Sequence, residues 1–170
     1  MSNLYVFKTK KKNTAFLICD RKKFKCYVGK NGIGKKTREG DNVTPRGTYK
    51  LLSVFYRPDK IKSLKTFIPK KKIIRSLYWC VNPKSSSYNM LQRNGTYFFS
   101  EKLYRSDSLY DVFITLSYNI NPSKKFKGSA IFIHCLDEKT KYTAGCLAFN
   151  KRDIMKILKL IKPTSKLIIF

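Results

Sequence analysis

The chain has 170 residues, 42% of them hydrophobic and 14% aromatic, with 37 Lys and Arg against 10 Asp and Glu for a formal charge of +27. This size and apolar content suit one folded domain over residues 1–170 and exclude a disordered polycation. No apolar run approaches the ~20 residues of a membrane-spanning helix.

The charge itself has two open readings. A basic surface attracts polyanions such as nucleic acid, anionic lipid or cell-wall polymer. A Lys-rich source genome would leave the same composition. The basic residues, among them Lys10 to Lys12, Lys70 to Lys72 and Lys124 to Lys125, are spread along the chain and form no single arm.

In chain order, Leu4 to Phe7 and Ala15 to Cys19 read as a first hairpin around a Lys-rich turn, and Lys25 to Val28 as the next strand. A glycine-rich stretch, Gly29 to Gly34, follows, with Asn31-Gly32 a tight-turn signal. Thr44-Pro45-Arg46-Gly47 is a further turn that leads into a β-branched and aromatic strand, Tyr49 to Tyr56. Pro58 to Asn94 lacks periodicity and reads as long surface loops, a length often associated with function. Leu109 to Tyr118 reads as strand or short helix, and Ala130 to His134 as a short apolar strand. The clearest helix is Asn150 to Ile161, with Ile154, Ile157, Leu158 and Ile161 on one face. Asn150 or Asp153 can cap its start and Pro163 stops it. Lys166 to Phe170 closes the chain as a strand. The expected class is therefore mostly β, a sandwich or open barrel, with one principal helix near the C-terminus.

Five cysteines, Cys19, Cys26, Cys80, Cys135 and Cys146, give an odd count and no C-x-x-C spacing. At least one thiol stays free in a monomer. The N-terminus has no secretory leader architecture, which suits a cytoplasmic chain, export by another route, or a sequence written without its leader.

The one histidine, His134, ends an apolar strand. Such a residue is by default a satisfied polar group at a core edge. Twelve positions on stands Thr143-Ala144-Gly145-Cys146-Leu147-Ala148. Gly145 allows a sharp turn and a close backbone approach. Cys146 shortly precedes the helix, where peptide dipoles favour a thiolate. An imidazole nearby would take the thiol proton, and amides at Gly145 and Cys146 are natural oxyanion donors.

These segments resemble the L,D-transpeptidases with a YkuD catalytic domain. His134 matches the upstream histidine; Thr143, Gly145, Cys146 and Leu147 match the cysteine motif; Thr44-Pro45-Arg46-Gly47-Thr48-Tyr49 matches the family's turn and strand. Stretches similar to Lys36 through Pro45, Tyr56 to Asp59, Leu109 to Asp111 and Gly128 to His134 occur in a branch lacking the usual Arg after the cysteine. The resemblance spans roughly residues 24 to 170. Ala144 stands where many members have a second histidine, and Ala148 where many have Arg.

The resemblance implies Cys146 as nucleophile and His134 as base, the latter held by the backbone carbonyl of Cys135. It implies oxyanion help at Gly145, and substrate contacts at Thr143. Arg38 or Arg57 would hold a substrate carboxylate, with turn ion pairs to Glu39 or Asp59 as the alternative. The implied reaction is acyl transfer on peptidoglycan stem peptides through a thioester, giving crosslinks or D-amino-acid exchange, with carbapenems acylating the same sulfur. Pro58 to Ser106 would form or cover part of the cleft. No cofactor, metal or membrane span is expected, the protein is expected to be a monomer, and the substrate class points to the cell envelope.

Other readings carry less. Gly29-x-x-x-x-Gly34-Lys35 departs from a phosphate-binding loop because Lys36 replaces the magnesium-binding Ser or Thr. A zinc site from His134, Cys135 and Cys146 lacks a fourth ligand. A sortase-like enzyme would share Cys and His but not the Thr-Pro-x-Gly turn. A hydrolase of the same fold stays open, as does a non-catalytic module binding polyanions, although no specific nucleic-acid motif is present.

Overall fold

The computed structural model describes residues 3–94, 99–137 and 139–170. Its centre is a closed sheet. Strands β1 (Leu4–Lys8), β2 (Thr14–Cys19) and β3 (Lys22–Tyr27) form an antiparallel meander. Two short pieces, β4 (Ile33–Gly34) and β5 (Thr44–Pro45), pair in parallel before the long β6 (Gly47–Tyr56). After β7 (Lys70–Lys72), β8 (Leu77–Cys80), β9 (Leu91–Arg93) and β10 (Ser100–Lys102), the chain returns through β11 (Val112–Leu116), β12 (Phe132–Cys135) and β13 (Leu147–Phe149). Helix α1 (Lys151–Leu160) and β14 (Lys166–Ile169) complete it.

The strand order β11-β12-β13-β3-β2-β1-β14-β6 closes because β6 pairs again with β11, from Val112↔Tyr56 to Leu116↔Leu51. An open sheet would leave unpaired edges, and closure removes them. The mostly β class with one helix therefore stands, and the sheet takes its closed form. β7 adds in parallel to the far half of β6.

Alternation along the strands fills the interior. Leu4 and Val6, Ala15 and Leu17, Phe24 and Cys26, and Leu167 and Ile169 all point inward. Helix α1 buries Ile154, Ile157 and Leu158 in the same core, as its three–four spacing requires. Asn150 occupies its N-cap position without a side-chain cap bond, and Asp153 lies in the first turn.

The region from Pro58 to Asn94 departs from the expected loops. It holds β7, β8 and β9, and β8 is the middle of a three-stranded sheet ordered β10-β8-β9. Leu77, Tyr78, Trp79 and Cys80 are all buried, so β8 shows no alternation for a sequence pattern to detect. This small sheet covers the outer face of β11 and β12 and creates a second core. Trp79 packs edge-on against Phe132 at 4.9 Å, and Phe55 stacks on Phe113 at 4.8 Å. Residues 95–98, within the span expected to border the cleft, lie outside the described residues.

β11 and β12 are thus buried on both faces. Ile131, Ile133 and Cys135 face the barrel interior, while Phe132 belongs to the outer core. His134 shares the parity of Phe132. The histidine is therefore directed out of the barrel, toward the space under the small sheet.

Candidate active site

Parallel pairing of β12 with β13 sets the relation between the two candidate residues. Ile133 pairs with Leu147 and His134 with Ala148. Cys146 is thus the neighbour of Phe132, one two-residue step from His134 on the same face. Strand spacing and rise put such diagonal positions about 8 Å apart at Cα, within reach of two side chains that lean together. Both line one cleft of about 470 Å³, along with Lys36, Glu39, Glu101 and Tyr110.

Among the described residues, one hydrogen bond fixes the imidazole. His134 Nδ1 lies 2.7 Å from the Cys135 carbonyl oxygen. A carbonyl only accepts, so Nδ1 carries the proton and Nε2 keeps its lone pair. Tyr110 meets the ring edge-on at 5.8 Å. Burial lowers the imidazole pKa to about 4, more than the Cys135 carbonyl raises it. At neutral pH His134 is uncharged. The Cys135 side chain turns the other way, into the barrel, where its thiol lies 3.6 Å from the Val112 carbonyl and burial pushes it up to about 11.

The Cys146 thiol sits in a backbone cradle. It donates to the Ala130 carbonyl at 3.0 Å and accepts from the Phe132 N–H at 3.3 Å. Burial pushes its pKa up to about 12, against the Phe132 N–H and the Lys36 charge, which act to lower it. The resting pair is therefore neutral thiol and neutral imidazole. The thiolate favoured by a helix dipole is not what the surroundings set, because β13 intervenes between Cys146 and α1.

Gly145 and Thr143 shape the turn before the sulfur. Gly145 has φ +144°, and a Cβ there would stand 2.9 Å from the Val43 carbonyl oxygen and 3.0 Å from Ile131 Cδ1. Glycine is required. Thr143 Oγ1 accepts from the Gly145 N–H at 3.1 Å and donates to the Cys146 carbonyl at 2.7 Å. The Gly145 amide is thereby occupied, and the Thr143 hydroxyl is spent inside the turn although the residue lines the cleft. The Thr143 backbone is held from both sides by Val28 and Lys30.

The arginines lie elsewhere. Arg38 is exposed and is not part of the cleft wall; its backbone N–H bonds to Asp41. Arg57 is buried and engages Asp59 through two bonds of 2.8 and 2.6 Å, reaches the Arg105 carbonyl at 2.5 Å, and stacks on Tyr104. Its guanidinium is committed to the turn, which was the alternative reading of its sequence. The middle region does border the cleft, through Val81 and Glu101.

Two residues to which sequence reasoning gave no role in the site organise it. Lys36 threads its stem where a Cβ at Gly128 would collide with it, and its ammonium lies 3.5 Å from where a Gly145 Cβ would be. The ammonium pairs with Asp41 Oδ1 at 2.5 Å, both side chains being nearly inaccessible. Burial raises the Asp41 pKa, but Lys36 and the backbone N–H groups of Thr37, Val43 and Arg38 outweigh it and hold the carboxyl below its ordinary range. Asn89, buried at 2% exposure, accepts from Trp79 Nε1 and the Ala130 N–H, each at 2.9 Å, and donates to the Tyr118 and Asn119 carbonyls. It pins Ala130, which has φ +51°, and so fixes the carbonyl that receives the thiol. The Lys36–Asp41 spacing was a legible signal; Asn89 gave none, because its partners lie 10 to 41 positions away.

A family model for the YkuD L,D-transpeptidase catalytic domain matches residues 3–169. Among solved structures, one titled "Structure of Bdellovibrio bacteriovorus Bd1075" is similar over 99% of this chain at 18% identity, with a TM-score of 0.46, and this chain spans 47% of that one. No curated protein matches. With the model covering nearly its whole length, the chain belongs to the YkuD family of L,D-transpeptidase catalytic domains.

Proposed function

We propose that the protein is a cysteine acyltransferase acting on peptidoglycan stem peptides, with Cys146 as nucleophile and His134 as general base. The observation that carries this reading is the His134–Cys135 carbonyl bond, which leaves the Nε2 lone pair as the ring's free acceptor in the cleft that Cys146 also lines.

Because thiol and imidazole both rest neutral, the thiol proton moves to Nε2 as the sulfur attacks, in general-base fashion rather than from a preformed thiolate. The S–C bond forms, the carbonyl π pair moves to oxygen, and the tetrahedral intermediate collapses. The protonated His134 then returns its proton to the departing amine of a D-amino acid, leaving a thioester. An incoming amine repeats the sequence in reverse and releases Cys146. Since Thr143 occupies the Gly145 N–H, the Cys146 N–H is the remaining donor of that pair for the oxyanion.

The test is a mass-spectrometric assay of tetrapeptide muropeptides incubated with a labelled D-amino acid. Exchange of the terminal residue, absent in Cys146→Ala and His134→Ala, supports the proposal. Release of the terminal residue with no amine uptake would make the enzyme a hydrolase. No turnover of either kind by the wild-type chain would sink the reading.

A further inference from the structure

The outer face of the barrel opposite the cleft is apolar where a solvated sheet would be polar. β1 stands four strands from β12 around the eight-strand ring, in either direction. Pairing of Tyr5 with Ile18 and Ile168, and of Phe7 with Phe16, lays two rows across β2, β1 and β14. Phe170 extends the second row, stacked on Phe7 at 4.8 Å and on Tyr5 at 6.5 Å. Tyr5, Phe7, Ile18 and Phe170 are 36 to 47% exposed.

Charge surrounds these rows. Lys23 and Lys25 pair with Ile18 and Phe16 on the β3 side, with the Lys23 ammonium 3.9 Å above the Phe16 ring. Lys166 and Lys50 are exposed on the β14 side, and Lys8 and Lys10 to Lys12 lie at the β1–β2 turn. Residues 1–38 contain ten Lys and two Arg against one acid, Asp20. An apolar patch of this kind calls for an occupant.

We propose that this face seats the protein on an anionic lipid surface, with Tyr5, Phe7, Ile18 and Phe170 at the headgroup–acyl boundary, the flanking lysines on acidic headgroups, and the cleft facing away. Aromatic and aliphatic side chains partition into that boundary, and lysines extend their stems to reach the headgroups. Each lysine near an anionic leaflet contributes about 1 kcal/mol, a factor of about five in affinity. A second copy is disfavoured because Lys23 and Lys25 would meet their own kind. A glycan is disfavoured because the rows offer the Tyr5 hydroxyl as their one polar side-chain group.

The experiment is co-sedimentation with phosphatidylcholine vesicles, with and without phosphatidylglycerol, using the wild-type chain, Phe7→Ser/Phe170→Ser and Lys23→Glu/Lys25→Glu. Each variant is first checked for a wild-type circular dichroism spectrum and for unchanged activity or Cys146 labelling. The expected result is binding to phosphatidylglycerol vesicles alone, weakened about tenfold by the aromatic pair and at least about 25-fold by the charge reversal. Equal binding to neutral vesicles, no binding, or binding indifferent to Phe7 and Phe170 would overturn the proposal. So would a wild-type dimer in light scattering that the aromatic substitutions dissolve, which would make the face a self-interface.

Discussion

The thiol of Cys146 donates to the carbonyl of Ala130 at 3.0 Å, and that carbonyl is aimed by Asn89, which accepts the Ala130 N–H at 2.9 Å. A bond from S–H to a carbonyl stabilises the protonated thiol, so Asn89 bears on the protonation of a sulfur it does not touch. Asn89→Leu removes four hydrogen bonds from a buried site and is expected to cost about 3 kcal/mol or more in urea unfolding. It also frees Ala130, so the pH midpoint for alkylation of Cys146 is expected to fall. Asn89→Asp keeps both acceptor bonds, to Trp79 and Ala130, and is expected to leave that midpoint near the wild-type value. Equal midpoints in all three proteins would show that Asn89 has a purely structural role.

The wild-type thiol, held up to about 12, is expected to react slowly with iodoacetamide at pH 7. The rate should rise about tenfold per pH unit through pH 10, following the thiolate fraction. Intact-mass kinetics check this. A plateau near pH 7 would show a preformed thiolate instead.

His134 titrates at about 4 in the folded chain against 6.5 when free. The unfolded state therefore binds more protons between these values, and stability rises with pH across that window. As pH falls from 6.5 to about 4, the group is expected to remove about 3 kcal/mol of stability, at 1.36 kcal/mol per unit. His134→Gln should flatten this limb in urea titrations run at pH 4.5 and 7.

Gly145→Ala places a Cβ 2.9 Å from the Val43 carbonyl oxygen at a φ that L residues rarely adopt. A cost of about 1–3 kcal/mol is expected, together with loss of Cys146 labelling by a carbapenem because the turn that presents the sulfur shifts. Chemical denaturation and intact mass read the two effects separately.

Lys36→Met leaves Asp41 buried without its cation and is expected to cost about 3–5 kcal/mol. Lys36→Met/Asp41→Asn should recover part of that stability. Neither variant keeps the positive charge that lowers the Cys146 pKa, so both should alkylate more slowly than wild type at a given pH.

Local patterns carried the frame of this protein. The apolar runs of β1 and β2, the closing run of β14 and the three–four spacing of Ile154, Ile157, Leu158 and Ile161 are short-range features that the sequence records, although which side of β1 and β2 faces the core is not among them. The segments around His134 and Cys146 carried the family. What tertiary structure alone decided is the chemistry of the pair. Closure of the barrel through β6 and β11 and the parallel register of β12 with β13 put Cys146 and His134 on one face. Burial keeps both groups neutral, and the second core beside them includes β8, a strand whose four residues are all covered and so leave no period. Arg57 and Arg38 had the right charge for a substrate carboxylate, yet one is consumed by Asp59 and the other faces solvent. Residue type states what a side chain is able to do; burial and partners many positions away set its protonation and its free valences, and those are properties of the folded chain.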